Sequence, residues 1–442
     1  MRLYINSIIE KIIISIIFVI LILQNSYSEN NNLFMFAILL NAFLIWKYKN
    51  SKIIQLLLIF MISYLLYLSP YFISDNQIAF YTAYQTNEYF YKALLIHSVF
   101  IFFIYLFTSD KIHKKYKSIS DRIEVKNNIL IYYFSIFIMF VITLVGKKGE
   151  SIFSNGGYRT VNDTQSYAVN EYFLIFVLSS YLYSGKNKKK ISFIFFICLI
   201  YSLKNFMYGS RIEVLQLLIL LFIVFFEKYI SSKLMWISVS LGFIFMKIIE
   251  KFRVNLSLEN ILNFKNYRID GSEYIGSNQG DVFYNSAVYV GLIENNIFDN
   301  SFRIDAFFQF VKRIFMPSST VDLSGKLSYF SQQITPSGGG GLISTYFYVW
   351  FSFVGVIIIS IYLAFLFRSS YISNNQSTLI YITFAFSTIP RWFAYDPITL
   401  FKLCLYAVIV MYMCKFVDDK MRNKERKGKY NESNFSLNDN VQ

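Results

Sequence analysis

The sequence predicts an all-α, polytopic integral membrane protein with about twelve transmembrane helices and one long outer loop. Three observations predict it. Of the 442 residues, 55% are hydrophobic and only 16% charged, with a mean hydropathy of +0.44. Apolar runs recur along nearly the whole chain, where a soluble protein of this length would show alternating polar faces. Lysine and arginine gather in alternate connections between those runs.

The first run, "INSIIEKIIISIIFVILIL", lacks a small-residue cleavage site and is followed by many others, so it reads as a retained helix over 8–23. Further spans are predicted at 33–46, 53–72, 92–108, 129–146, 170–184, 191–208, 212–226, 234–249, 342–367, 378–390 and 397–414. Of the twelve, the second (33–46), sixth (170–184), eighth (212–226) and eleventh (378–390) fall short of the ~20 residues of a straight crossing.

Charge sets the orientation. "KYKNSK" (47–52), "DKIHKKYKSISDRIEVK" (110–126), "GKNKKK" (185–190), "EKYISSK" (227–233), "RSSYISNNQS" (368–377) and the basic tail 415–442 are assigned to the cytoplasm. "QNSYSENN" (24–31) and "ISDNQIAFYTAYQTNEYFY" (73–91) contain no Lys or Arg and are assigned outside. Both termini then lie in the cytoplasm, and 1–442 forms a single membrane domain. The net charge of +15 serves topology and contact with the anionic bilayer rather than nucleic acid. Cys198, Cys404 and Cys414 sit in or at the ends of apolar runs without metal or redox spacing, so no disulfide framework is implied.

Two outer segments carry charge. Residues 147–169 hold Lys147, Lys148 and Arg159, and residues 250–341 form the long outer loop. A loop this long without spans of its own is more often functional than passive. Within it, "SFRIDAFFQFVKRIFMPSS" predicts an amphipathic helix near 303–316. Ile304, Phe307, Phe308, Val311, Ile314 and Phe315 form its apolar face, Asp305, Gln309, Lys312 and Arg313 lie opposite, and Pro317 ends it. Such a helix lies either in the outer leaflet, its basic end at phosphate depth, or against the bundle.

The stretch "YGSRIE" opens the eighth span on the outer side. Ser210 and Glu213 have the spacing of a capping box, in which each side chain satisfies the other residue's amide. Arg211 has no part in the box. Beside free first-turn amides its guanidinium suits an anion, or it snorkels to lipid headgroups. Arg268, Asp270, Glu273 and Asp281 lie among Gly, Ser, Asn and Tyr in "NYRIDGSEYIGSNQGDVFYN", a composition suited to sugar hydroxyls and also to an ordinary surface loop. "GGGG" at 338–341 reads as a hinge or as a place where backbone approaches a ligand. In "IPRWFAYDP", Arg391 and Asp396 form a candidate surface ion pair of little worth. His97, inside the fourth span, is a site candidate, although a satisfied core histidine is the expected reading.

Taken together, "GSR" opening a mid-chain helix, the long outer loop, "RIFMPSS", and "GGGGLISTYFYVWFSFVGV" entering the membrane resemble the Wzy-type polymerases of O-antigen and capsular polysaccharide repeat units. The resemblance covers most of the chain in architecture, through loose motifs. It implies a GT-C-like glycosyltransferase of the bacterial cytoplasmic (inner) membrane. The donor would be a growing glycan on undecaprenyl diphosphate and the acceptor a repeat unit on the same lipid, with a chain-length regulator as a further partner. No cofactor, nucleotide sugar or metal is implied, so arginines would stabilise the leaving diphosphate. By position in the motifs this role falls to Arg211 and Arg313, with Arg253, Arg268, Arg303 and Arg391 behind them. A carboxylate, Asp281, Asp270 or Glu273, would act as base on the acceptor hydroxyl.

Three other activities are weighed against this one. An O-antigen ligase calls for a histidine in the outer loop, and the only two are His97 and His113. A lipid-linked oligosaccharide flippase or transporter usually shows internal repeats and short loops. A membrane O-acyltransferase wants a buried histidine, for which only His97 qualifies.

Overall fold

The computed structural model describes residues 2–24, 31–74, 87–108, 117–146, 168–207, 210–252, 278–316, 325–335 and 340–438. Its helices are α1 (Arg2–Leu23), α2 (Asn31–Lys47), α3 (Lys52–Tyr67), α4 (Asn87–Phe107), α5 (Ile129–Val145), α6 (Phe173–Leu182), α7 (Lys188–Met207), α8 (Arg211–Leu221), α9 (Ser232–Phe252), α10 (Asn278–Glu294), α11 (Asn300–Phe315), α12 (Leu327–Ile334), α13 (Ile343–Ile372), α14 (Gln376–Ser387) and α15 (Ile398–Asn438). No strand forms among the described residues; Asn127 and Ser184 make an isolated bridge.

The twelve predicted spans fall on helical segments, with 53–72 divided between α3 and a short helix Ser69–Ser74, and 378–390 between α14 and a short helix Ile389–Trp392. An apolar run that leaves water must pair its backbone groups within itself, which a helix does. By length and composition, Glu88–Phe107, Ile343–Ile372 and Ile398–Asn423 are long and apolar enough to cross a membrane. Asn31–Lys47, Lys52–Tyr67, Ile129–Val145 and Val169–Leu182 are apolar but shorter. Side-chain oxygens set several helix starts. Ser51 accepts from the Ile54 amide, Asn128 from Ile131 and Asp299 from Phe302.

The described chain divides into two compact units. The first comprises Met1–Ser120, Leu218–Ser373 and Ile382–Lys402. Here α4 packs along α13, α2 lies against α3 and α4, and α10 lies against α3, α4 and α13. The Ser360 hydroxyl ties α13 to α4 through the Phe100 carbonyl at 3.1 Å. Although α10 falls within the expected outer loop, it is buried nearly all round. Val282, Phe283, Tyr284, Ala287, Val288, Tyr289, Val290 and Leu292 belong to the core. The polar residues of "NQGDVFYN" interrupt its apolar pattern and hide the helix from a reading by periodicity.

A break at Phe351 and Ser352 divides α13, with Ser352 at φ 53°. Gly355 is required there, since a Cβ at that position would lie 2.1 Å from the Phe347 carbonyl oxygen. The carbonyls freed by the break go to Arg303. Its Nε donates to the Val349 carbonyl, and its Nη2 to the Ser352 hydroxyl at 2.7 Å and the Tyr348 carbonyl at 3.4 Å.

The second unit comprises Asp121–Leu217, Asn374–Tyr381 and Leu403–Gln442. Here α5 packs on α6 and α7, with Ser135 bonded to Ser179 at 2.9 Å. Lys204 donates to the Thr143 and Leu144 carbonyls at the end of α5. The opposite face of α5 exposes Leu130, Phe134, Phe137 and Val141, an apolar surface suited to lipid. Buried Asp418 on α15 accepts from Asn128 Nδ2 at 2.9 Å and pairs with Lys126 and Arg422.

Candidate functional site

The site is built around α11 in the first unit. The sequence predicts that Arg313 looks out from the polar face of this helix, but it turns inward. The stripe that α11 buries is Ala306, Phe310 and Arg313, while Ile304, Phe308 and Phe315 are 53%, 57% and 65% exposed. Phe310 packs on Trp350 and Phe401, and Phe307 on Trp350 and Phe351. The helix therefore packs on the bundle through one stripe and keeps part of its apolar face outward. The inward stripe is the i, i+4, i+7 row that carries the arginine.

Arg313 is 8% exposed. Its Nη1 donates to Asp396 Oδ2 at 2.9 Å, and among the described residues its buried Nε has no partner. The guanidinium also lies 5.7 Å from the centre of the Phe310 ring. Burial works against the charge of Arg313, but Asp396 outweighs it, and the pKa is raised above the ordinary arginine value. Asp396 is not at the surface as expected, its side chain being 13% exposed. Its Oδ1 accepts from the Ile398 amide at 3.0 Å, which starts α15. Burial pushes the carboxyl pKa up, but Arg313, then Lys326, hold it below the ordinary value.

Three further cations, Lys326, Arg391 and Lys402, complete the group. Lys326, at the start of α12, has its pKa lowered by burial, which Asp396 opposes and Arg313 and Arg391 reinforce. Lys402 donates to the carbonyls of Arg313 at 2.9 Å and Met316 at 2.7 Å, closing the end of α11. Among the described residues, four cations, Arg313, Lys326, Arg391 and Lys402, thus gather near Asp396. Positive charge concentrated in this way favours an anion with several oxygens.

The start of α13 forms a wall beside this group. The Ile343 amide donates to the Phe393 carbonyl at 3.0 Å, the Leu342 amide to Ser286 Oγ at 2.9 Å, and the Tyr346 hydroxyl to the Tyr395 carbonyl at 2.6 Å. The described glycines of the "GGGG" run approach protein. A Cβ on Gly340 would lie 2.7 Å from Tyr395 Cα, and one on Gly341 2.7 Å from the Tyr289 ring.

The other predicted residues lie elsewhere. Arg303 is engaged at the α13 break. Arg211 is the first residue of α8, in the second unit, with Ser210 just before the helix and Glu213 in its first turn, and the Ser210 amide, which a capping box would give to Glu213, donates to the Asn205 carbonyl at 2.9 Å. Asp281 lies in the first turn of α10. Arg253, Arg268, Asp270 and Glu273 lie outside the described residues. Sequence reasoning missed Lys326 and Lys402. Nothing local marks Lys326, but a lysine within an apolar run, as Lys402 is, carries a signal of its own. His97 is not the satisfied core histidine expected, since among the described residues neither ring nitrogen has a hydrogen-bond partner.

The fold and this group define a protein whose described residues are helical, with membrane-compatible helices and a partly buried cationic group beside a carboxylate. No family model, no curated protein and no solved structure matches the chain.

Proposed function

We propose that the protein polymerises lipid-linked oligosaccharide repeat units at the outer face of a bacterial cytoplasmic membrane. The observation that carries this reading is the convergence of Arg313, Lys326, Arg391 and Lys402 about Asp396, beside the start of α13. In the reaction, a hydroxyl oxygen of the acceptor sugar bonds to the anomeric carbon of the donor glycan. The bond from that carbon to the diphosphate oxygen breaks, and undecaprenyl diphosphate leaves with the electron pair. The hydroxyl proton passes to a base, for which Asp281 is the described candidate. Negative charge grows on the leaving diphosphate, and fixed cations lower the barrier most where that charge develops. Among the described residues the Nε of Arg313 has no partner, which leaves a donor for a phosphate oxygen.

The test is a surface-glycan gel run beside a blot for the protein. Arg391→Gln and Lys326→Met are expected to leave single repeat units on the surface glycan at normal protein level. Full-length chains from both variants would refute the assignment.

A further inference from the structure

We propose that α11 lies in the membrane–water interface, with its exposed apolar row on the acyl chains of bilayer lipid. Its depth follows from the two places where it is tied. Near its start, Arg303 bonds to the Ser352 hydroxyl at 2.7 Å, and the Phe307 ring lies 4.6 Å from that of Phe351. Both contacts fall on the break in α13. At its end, Lys402 of α15 donates to the Arg313 and Met316 carbonyls, and Phe310 packs on Phe401. Both partner helices are long and apolar enough to cross a membrane. Beyond its break, α13 runs over 353–372. That is about 20 residues or ~30 Å, the thickness of a bilayer's hydrocarbon core. The break therefore stands at one boundary of the core. Lys402 follows closely on the start of α15 at Ile398, so the second tie is also at the end of a crossing. A helix held at the boundary at both ends lies along it.

The exposed side of α11 matches that position. At about 100° per residue, Ile304, Phe308 and Phe315 fall within ~40° of one another, and Ser301, Lys312 and Asp305 within the next ~60°. All six are exposed. The exposed face is thus half apolar and half polar, as in helices that lie at a lipid surface. The apolar half adjoins Phe307, on the side of the helix that meets α13. In turn α13 exposes Val354, Ile358, Ile361 and Phe365, at the i, i+4, i+7, i+11 spacing of one helix face. A stripe of this kind on a crossing helix faces acyl chains, and the apolar row of α11 continues it past the break. Lys312 borders the row, where its stem can lie along apolar surface and its ammonium reach a lipid phosphate. This inference does not depend on the proposed transferase activity.

Spin labels on the full chain in nanodiscs test it. In a cysteine-free background, Phe308→Cys, Phe315→Cys and Asp305→Cys are labelled and exposed to oxygen, which concentrates in lipid, or to a water-soluble nickel complex. Labels at 308 and 315 are expected to show an oxygen-to-nickel relaxation ratio near that of Val354→Cys, and the label at 305 a ratio near that of exposed Asn296→Cys. A ratio at 308 and 315 equal to that of Asn296→Cys would overturn the proposal by placing the row in water. Shielding of both labels from both reagents would overturn it by showing that protein covers the row. As a second measurement, in the otherwise native chain, benzoylphenylalanine in place of Phe308 is expected to give a lipid adduct on irradiation. A dimer-sized adduct instead would assign the row to a second copy of the chain and overturn the proposal.

Discussion

Removing Arg313 tests the buried ion pair directly. In Arg313→Ala, Asp396 keeps its burial and its bond from the Ile398 amide but loses the guanidinium at 2.9 Å. Breaking a buried pair from one side typically costs about 3–5 kcal/mol, because a charge is left uncompensated. Asp396→Asn keeps the acceptor for Ile398 and removes the charge, leaving Arg313 unbalanced at a similar cost. The double variant Arg313→Ala, Asp396→Asn removes both charges and is expected to cost well below the sum of the two single variants, since neither member of the pair is left buried alone. The pair should therefore show a coupling of several kcal/mol in a double-mutant cycle.

The pH dependence has a definite sign. In the parent, Asp396 titrates below its unfolded value, so its contribution is fully present above about pH 4 and lost as pH falls through the folded pKa. Without Arg313, burial dominates and raises the carboxyl pKa. The variant should then gain stability relative to the parent as pH falls from 8 to 5. The assay is reversible unfolding by sodium dodecyl sulfate in mixed micelles, followed by tryptophan fluorescence at both pH values. Additive single-variant costs, or an Arg313→Ala protein as stable as the parent, would refute the reasoning.

For orientation, Asn296→Cys, exposed in the expected outer segment, should react with an impermeant thiol reagent in a cysteine-free background, while Asn187→Cys should not; the reverse pattern would invert the topology. At the start of α8, Glu213→Gln should keep most polymer, whereas Ser210→Ala should cost about 1 kcal/mol of stability. Loss of polymer from well-expressed Glu213→Gln would make Glu213 part of the chemistry. At the α13 break, Arg303→Ala strands the Tyr348 and Val349 carbonyls and should cost about 1–3 kcal/mol. Arg303→Lys should recover only part of that cost, and an unchanged denaturation midpoint in Arg303→Ala would show that water replaces the fork.

The sequence by itself determined the helices of the apolar runs. Apolar runs must satisfy their backbone hydrogen bonds internally, and that requirement needs no partner chain, so the twelve expected spans fall on helical segments. It also fixed local starts such as α11, where Asp299 caps its own helix within three residues. Tertiary structure decided what pairs with what. Arg313 meets Asp396 across 83 residues, and Lys402 reaches the Arg313 carbonyl across 89. No spacing rule connects such residues, because charge pairing acts through space and periodicity acts along the chain. For the same reason α10 was hidden, since it is buried by α3, α4 and α13 rather than by an apolar run of its own. The break at Ser352 and the stranded nitrogens of His97 likewise exist only once the helices have packed, when each polar group either finds a partner or is left without one.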